Sequence, residues 1–197
     1  RNQSGEVSLS TPENNVAIYF TLDGSAPTAE SQKYEAPFNQ AEPAKIQAIT
    51  IDGARASEIS SADFDVSAAK WKILHGDKKA LQVIDGKANT WWSDRSKKNR
   101  NEIVIDLGET LELKGFTYLP MQQRWISGFI KEYQFYVSTN KRNWKLASEG
   151  EFGNIENSPI LQRITFPVMS ARYIKLKATT TIDGNAASCA EIGIVTR

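Results

Sequence analysis

The feature that most restricts the fold is a two-residue repeat of apolar side chains, found in short stretches that end at turn-forming residues. In the first stretch Val16, Ile18, Phe20 and Leu22 occupy every second position, and an Asp-Gly-Ser-Ala-Pro turn signal follows. This is the period of a strand with one buried face. Only the neighbourhood of 80–84 has a spacing that allows a helical turn. Because many short strands without a helical period are typical of β-sandwiches and jelly rolls, we expect an all-β chain. The same pattern recurs at 103–107, 116–118, 133–137, 164–166 and 174–176.

The distribution of tryptophan and proline changes near residue 66. All five Trp residues lie after it, whereas four of the seven Pro residues lie at or before Pro43. The strand-like segment 64–66 is flanked by small and polar residues, which is typical of a last strand followed by a short linker. A chain of 197 residues has room for one medium domain or two small ones. We therefore predict two domains, residues 1–66 and 67–197.

Composition excludes several functional classes. The chain has 24 Lys and Arg against 23 Asp and Glu, a formal net charge of +1, so we expect no nucleic-acid binding driven by overall basicity. One His and one Cys are too few for a His/Cys metal cluster or for most nucleophilic catalysis. Cys189 cannot form an internal disulfide and is expected to be a small buried residue rather than a reactive thiol. We predict no catalytic residues in this chain.

The chain ends and the hydropathy bear on its cellular context. No window contains the roughly 18 apolar residues that a transmembrane helix needs. The first residue is Arg1 rather than Met. We therefore expect either a processed protein or, in preference, a fragment of a longer one, and a fragment would have lost any signal peptide.

The first predicted domain carries a specific turn motif. Residues 18–28 read Ile-Tyr-Phe-Thr-Leu-Asp-Gly-Ser-Ala-Pro-Thr, in which Asp23 can accept hydrogen bonds from backbone N–H groups and Gly24 allows a tight turn. This string, with the strings at 34–38, 46–50 and 52–58, resembles the C-terminal domain of chitobiases and β-hexosaminidases. The resemblance implies a small β-sandwich of the immunoglobulin or fibronectin III type. It implies a spacer role, with no catalytic residues to transfer.

The second predicted domain carries five strings in a fixed order. Residues 80–92 read Ala-Leu-Gln-Val-Ile-Asp-Gly-Lys-Ala-Asn-Thr-Trp-Trp, and an Ile-Val-Ile-Asp-Leu-Gly strand follows at 103–108. Together they resemble the coagulation factor 5/8 type C, or discoidin, domain, and in particular the family 32 carbohydrate-binding modules. The resemblance implies a jelly-roll β-sandwich. The other three strings are 130–138 with the following Asn143-Trp144, 171–176 and 190–192.

The loop from Asp85 to Thr90 is the predicted cation site. A carboxylate, a hydroxyl and backbone carbonyls on a tight turn are the oxygen ligands that Ca²⁺ prefers. The alternative is a metal-free turn in which Asp85 accepts backbone hydrogen bonds. The resemblance implies a structural calcium ion, and its ligands would be the Gln82 carbonyl, the Asp85 side chain, the Lys87 carbonyl, the Thr90 hydroxyl and carbonyl, the Ala190 carbonyl and the Glu191 side chain.

Loops at one end of the sandwich form the ligand-binding face in the family that the second domain resembles. An Arg side chain offers a fork of hydrogen-bond donors, and a Trp side chain offers a rigid platform. The 121–125 loop is therefore the strongest candidate for the ligand-binding loop. Trp125 could equally pack within its own loop. Galactose-binding members have His and Arg where this chain has Ser93-Asp94 and Met121, which argues against the usual recognition of galactose. We also expect His75 to make a local loop hydrogen bond more readily than a ligand contact. The predicted ligand-binding residues are His75, Asp77, Asp94, Gln122, Gln123, Arg124, Trp125 and Asn185.

Together, the resemblances imply a non-catalytic, carbohydrate-binding region at the C-terminus of a secreted bacterial glycoside hydrolase, either a β-hexosaminidase or an α-L-fucosidase. The expected partners are a glycan with terminal sugars and the parent catalytic domain. We expect a monomer in a secreted, periplasmic or cell-surface location. The alternative is a discoidin-type adhesion or membrane-surface module. The apolar pair at 125–126 is the sequence feature that favours this alternative. The basic run at 95–100 is read as a solvated loop rather than a polyanion site.

Overall fold

Strands make up about half of the chain in the computed structural model, which describes residues 1–13, 15–94, 101–124 and 127–197. The all-β fold predicted from the sequence is therefore confirmed. The chain forms two units, Arg1–Ala69 and Lys70–Arg197, whereas the sequence prediction placed the division after residue 66. A 3₁₀ turn, Ala68–Lys70, lies at this point in the sequence. None of the helices in the described ranges is long and apolar enough to cross a membrane.

The first unit is built on an antiparallel sheet in the order β3-β2-β5-β6, with β7 also paired to β5 and with β1 paired to β4. Phe20 lies in its core and stacks on Phe38 with 4.7 Å between ring centroids. In the turn after β2, Asp23 Oδ1 accepts hydrogen bonds from Ser25 N and Ser25 Oγ. The strands are β1 (Glu6–Val7), β2 (Ala17–Thr21), β3 (Gln32–Lys33), β4 (Phe38–Asn39), β5 (Ala44–Asp52), β6 (Arg55–Ala56) and β7 (Ser60–Phe64).

The second unit is built on a larger antiparallel sheet. Its order is β12-β11-β13-β10-β15, β8 also pairs with β10, and β9 pairs with β14. A seven-residue 3₁₀ helix, Lys78–Ile84, lies where the sequence allowed a helical turn. The strands are β8 (Lys72–His75), β9 (Trp92–Ser93), β10 (Glu102–Leu119), β11 (Ile130–Ser138), β12 (Lys145–Glu151), β13 (Gln162–Thr181), β14 (Ser188–Cys189) and β15 (Glu191–Val195).

Two long strands, β10 and β13, organise this sheet. Their pairing shifts register between Asp106 and Leu111 and again between Leu113 and Gly115, and such shifts bend a strand and increase its twist. The first part of β10 therefore pairs with β8, while its last part pairs with β15. Aromatic rings fill the interior, where Phe116 stacks on Phe135 at 4.0 Å. Trp92 is buried, whereas Trp144 is half-buried, with Lys175 Nζ 4.7 Å from its ring centroid.

Candidate functional site

The short strand β14 holds three loops together, and two of them carry the predicted ligand residues Asp94 and Asn185. Ser188 pairs with Ser93 of β9. On its other side the Ser188 N–H donates to the Gly128 carbonyl at 2.7 Å, and its hydroxyl donates to the Ser127 carbonyl at 2.6 Å. Gly128 has a φ of +69°, and an added Cβ would overlap the Ala186 carbonyl oxygen. The loops at 93–94, 127–128 and 183–188 are therefore held side by side by backbone contacts.

Asp94 belongs to this junction as a buried group. It is 2% exposed, its Oδ2 accepts from Asn101 N at 3.0 Å, and its own N–H donates to the Ala187 carbonyl at 3.0 Å. The Ala187 N–H in turn donates to Asn101 Oδ1 at 3.0 Å. Asp94 therefore braces two loops, and its carboxylate faces protein groups rather than solvent.

A pocket of about 190 Å³ lies beside β9 and the 3₁₀ helix. It is smaller than the roughly 300–1,000 Å³ clefts that enclose drug-sized ligands, so its size suits a single ring. Asp77 caps the start of the helix, and its Oδ1 accepts from Lys79 N at 2.9 Å. An aromatic ring, two charged groups, an amide and a hydroxyl thus border one cavity. The lining residues are Asp77, Lys79, Gln82, Trp91 and Ser93.

Four of these residues, Lys79, Gln82, Trp91 and Ser93, were not among the predicted ligand-binding residues. Gln82 was predicted only as a calcium ligand, through its carbonyl. The signal for two of them is present in the sequence. Side chains on a strand alternate between its faces, so a buried Trp92 places its neighbours Trp91 and Ser93 on the opposite, accessible side. Lys79 has no such signal, because its position depends on the capped helix.

The other predicted ligand residues lie at separate places around the junction. His75 is half-buried at the end of β8, opposite Val104. The side-chain amide of Gln122 donates to the Pro120 and Pro159 carbonyls at 2.9 and 2.7 Å, so it braces its loop. Gln123 and Arg124 are exposed. Trp125 lies outside the described residues.

The 181–185 loop is fastened to the 127–128 loop by Asp183. Its Oδ1 accepts from Gly128 N at 3.0 Å and from Asn185 N at 3.1 Å. The predicted ligand residue Asn185 is exposed, but its side-chain amide donates to Asp183 Oδ2 at 2.7 Å. Hydrogen bonds from the amides lower the pKa of Asp183 despite the opposing effect of its partial burial. Met121, where galactose-binding relatives carry Arg, is buried.

A cluster of oxygen atoms lies at the other end of the 3₁₀ helix. The Thr90 hydroxyl is within 3.0 Å of both Asp85 carboxylate oxygens and of the Lys87 carbonyl. The Lys87 N–H donates to Asp85 Oδ1 at 2.9 Å and to Glu191 Oε1 at 2.8 Å. One hydroxyl hydrogen cannot serve three acceptors. The cluster therefore has more acceptor oxygens than donors.

The electrostatics of the cluster fit a hard cation. Burial, and then the adjacent Asp85 carboxylate, raise the pKa of Glu191 to about 8, because two facing carboxylates cannot both ionise easily without a counter-charge. Carboxylate, hydroxyl and carbonyl oxygens are the ligand types that Ca²⁺ prefers. In the described ranges no group of three or more His, Cys, Asp or Glu side chains could hold a metal. The cluster instead combines two carboxylates with neutral oxygens.

Comparison with known proteins places both units in families. Residues 67–192 match the F5/8 type C domain model. The chain belongs to the F5/8 type C domain family. Residues 1–62 match the chitobiase/β-hexosaminidase C-terminal domain model. Both resemblances predicted from the sequence are thus confirmed.

Individual relatives of this F5/8 type C chain include enzymes and carbohydrate-binding modules. A sialidase of Micromonospora viridifaciens is 29% identical over 154 residues, which are 74% of this chain and 22% of the sialidase. The chain thus spans about a fifth of that relative's length. The CpGH89CBM32-5 module of Clostridium perfringens, solved with GalNAc-β-1,3-galactose, is 30% identical with a TM-score of 0.53, covering 64% of this chain and 94% of the module. The C-terminal domain of a Bacteroides fragilis chitobiase shares the fold, with 23% identity, a TM-score of 0.54, and 65% and 94% coverage.

Proposed function

We propose that the second unit is a carbohydrate-binding module that holds a terminal sugar residue in the pocket between Asp77 and Trp91. The observation that carries this proposal is the ring-sized pocket in which Trp91 stands beside hydrogen-bonding side chains. Sugars present an apolar face and a rim of hydroxyls, and sites for such ligands combine an aromatic ring with a few placed polar groups. The similarity to a module solved with GalNAc-β-1,3-galactose supports the ligand class.

The chemistry of the pocket differs from that of the galactose-binding modules. The family resemblance implies His at the position of Ser93-Asp94 and Arg at the position of Met121 in galactose-binding modules. In this chain Ser93 borders the pocket and Met121 is buried. Two strong planar donors are therefore replaced by a hydroxyl and an apolar side chain. Asp77 and Lys79 border the pocket instead. We accordingly expect a neutral terminal sugar other than galactose to bind best.

A glycan array followed by titration calorimetry tests this proposal. We expect Trp91→Ala to weaken binding at least about tenfold, equivalent to 1.4 kcal/mol. Asp77→Asn should also weaken binding while leaving the helix intact, because Asn remains a good N-cap. Trp144→Ala, a substitution of the same type at the β11–β12 hairpin, is the matched control. It should leave the affinity for a neutral sugar unchanged, because Trp144 does not line the Asp77 pocket.

Three results would overturn the pocket assignment. Full affinity in Trp91→Ala with a loss in Trp125→Ala would move the site to the 121–125 loop. Absence of glycan binding together with binding to anionic liposomes would instead establish the membrane-surface alternative. Equal losses of affinity in Trp91→Ala and Trp144→Ala would show that the weaker binding reflects a destabilised fold rather than a lost contact in the pocket.

We further propose that the oxygen cluster around Asp85 binds a structural Ca²⁺ ion. The excess of acceptor oxygens and the raised pKa of Glu191 support this assignment. The residues that would hold the ion are Asp85, Thr90 and Glu191 through side chains, and Gln82, Lys87, Thr90 and Ala190 through carbonyls. The bound ion would supply a positive charge that links an early loop to the start of β15. Calcium titration of chelator-treated protein, followed by calorimetry, tests the site.

The type of parent protein and the oligomeric state are also proposed. We infer that the chain is an accessory region of a secreted bacterial glycoside hydrolase of the β-hexosaminidase or α-L-fucosidase type, present as a monomer. The chitobiase family match and the sialidase relative support a glycosidase context. A weak sugar site there would raise the effective concentration of the enzyme at its substrate. Sequencing of the full-length gene tests the glycosidase context, and a non-glycosidase catalytic domain there would overturn it. Sedimentation of the protein tests whether it is a monomer.

A further inference from the structure

A second and larger cavity lies at the hairpin that joins β11 to β12. Its volume is about 500 Å³. It is bordered on one side by residues 137–140, Asn143 and Lys145, and on the other by residues 168–170 of β13. The strand β11 begins at Ile130, beside the loop junction, and ends at Ser138. Nine residues of strand span roughly 26 Å. The cavity is therefore at the opposite end of β11 from the proposed sugar pocket.

The hairpin is held in one conformation by its own hydrogen bonds. The buried Ser138 hydroxyl accepts from Asn140 N at 3.3 Å and Lys141 N at 3.0 Å. Asn140 Oδ1 accepts from Arg142 N at 3.0 Å and Asn143 N at 2.9 Å. The cavity wall is therefore preorganised, which reduces the entropic cost of binding.

Several donors that border the cavity are not used by the protein. Among residues described by the structure, the Thr139 hydroxyl, the Asn143 side-chain amide and Lys145 Nζ make no hydrogen bond or ion pair. The Ser170 hydroxyl differs, because it is hydrogen-bonded to Glu112. Lys145 is the only charged side chain among the lining residues that the structure describes. The cavity thus combines a hydroxyl, an amide and one positive charge.

The opposite wall of the cavity is apolar. Val168 is 57% exposed, and Met169 lies beside it. An exposed valine next to unused donors gives a surface that can contact the C–H face of a pyranose while its rim is hydrogen-bonded. The volume exceeds that of the Asp77 pocket more than twofold, so it has room for more than a single ring.

We propose that this cavity is a second carbohydrate site and that it takes an acidic sugar residue, a pyranose that carries a carboxylate. Lys145 pairs with the carboxylate, Asn143 and Thr139 hydrogen-bond to ring hydroxyls, and Val168 contacts the ring. The assignment is independent of the Asp77 pocket, since no residue is shared between the two. A chain with both sites could hold a neutral terminal sugar and an acidic residue of the same glycan or of two glycans.

The test is a titration of the isotopically labelled 197-residue chain followed by backbone amide chemical shifts. Sodium glucuronate is the probe, with glucose and sodium acetate as controls at matched ionic strength. We expect saturable shifts at 139–145 and 168–170 with glucuronate and much smaller ones with glucose. Lys145→Gln should raise the glucuronate Kd about tenfold or more, because a charge-assisted hydrogen bond is lost. Lys141→Gln, in the same hairpin but outside the cavity lining, should leave the Kd unchanged.

Each contrary outcome overturns the proposal in a distinguishable way. Equal shifts with acetate would reduce the site to a general anion contact of Lys145. Equal losses in Lys145→Gln and Lys141→Gln would show nonspecific attraction to a basic hairpin. Shifts confined to Asp77 and Trp91 would refute the second site while leaving the proposed function intact. Glucuronate shifts at 139–145 without any at Asp77 would support the second site and would leave the proposed function intact, because that function concerns a neutral sugar.

Discussion

Replacement of Tyr118 by phenylalanine tests whether β14 is held in place by one buried hydroxyl. Tyr118 is 0% exposed. Its hydroxyl donates to the Ser188 carbonyl at 3.0 Å and accepts from Ile130 N at 3.1 Å. It therefore joins the start of β11 to the strand at which the ligand loops meet. Burial raises the pKa of Tyr118 well above its usual range, so the hydroxyl keeps its proton.

The expected magnitude follows from what the substitution leaves behind. Phenylalanine retains the ring, which stacks on Phe152 at 4.7 Å, so little packing is lost. The Ser188 carbonyl and the Ile130 N–H, however, each lose the hydroxyl as a hydrogen-bond partner in a buried place, and a lost partner at a buried polar group costs about 1–3 kcal/mol. We expect Tyr118→Phe to lower the free energy of unfolding by about 3 kcal/mol.

Urea unfolding followed by tryptophan fluorescence measures this loss. All five Trp residues lie beyond residue 70, so the signal reports on the second unit alone. With an m-value of about 2 kcal/mol per molar, the midpoint should fall by about 1.5 M without a change in m. Tyr133→Phe is the matched control, since its hydroxyl contacts only Ser148 Oγ, at 3.2 Å in a partly buried place, and its loss should cost below about 1 kcal/mol. A Tyr118→Phe effect below about 0.5 kcal/mol, or one equal to that of Tyr133→Phe, would refute the reasoning.

Two further substitutions address the charged groups of the second unit. Calcium at 100 times its Kd should stabilise the wild type by about 2.7 kcal/mol. Glu191→Gln should abolish this stabilisation in calorimetric melts. An undiminished stabilisation by calcium would exclude Glu191 as a calcium ligand. Asp106 accepts two hydrogen bonds from Arg172, at 3.0 and 3.1 Å, and these hold the pKa of Asp106 below its ordinary value. A depressed carboxyl pKa stabilises the fold above the unfolded-state pKa of about 4, and this stabilisation is lost as the pH falls through the folded-state pKa. Asp106→Asn should therefore lower the free energy of unfolding by about 2 kcal/mol at pH 7. The difference in unfolding free energy from wild type should shrink below about pH 4. A constant difference from pH 7 to pH 2, measured by urea unfolding, would contradict this account.

The strands could be predicted because their periodicity is local. The repeat at 16–22 and the turn at Asp23 appear in the structure where the sequence predicted them. The sequence nevertheless suggested separate strands at 103–107 and 116–118, whereas β10 continues through both. Gly108, with a φ of +84° and an added Cβ 2.8 Å from the Lys70 carbonyl oxygen, marks the place where the strand bends without ending. Its close approach to Lys70 is a tertiary contact, which local periodicity does not contain.

The candidate site was harder to predict because its side chains are positioned by distant partners. Asp94 lies in a polar stretch of sequence that predicts an accessible loop, yet Asn101 and Ala187 enclose it. Gln122 similarly finds a partner at Pro159, 37 residues away. By contrast, the position of Trp91 follows from strand alternation next to the buried Trp92. Long-range hydrogen bonds therefore decide which polar residues remain available to a ligand.

The 3₁₀ helix places the proposed cation site and the proposed sugar site at the same end of the second unit. Asp77 caps its first turn and borders the pocket, while Asp85 ends it and belongs to the oxygen cluster. At about 2.0 Å per residue, the eight residue steps from Asp77 to Asp85 span roughly 16 Å. Such a short 3₁₀ segment has weak hydrogen-bond geometry of its own and depends on its ends for order. A cation held by Asp85 and Glu191 would fix one end against β15, and the Asp77 cap would then present its carboxylate to the pocket from an ordered element. The proposed calcium ion would in this way position the proposed sugar site.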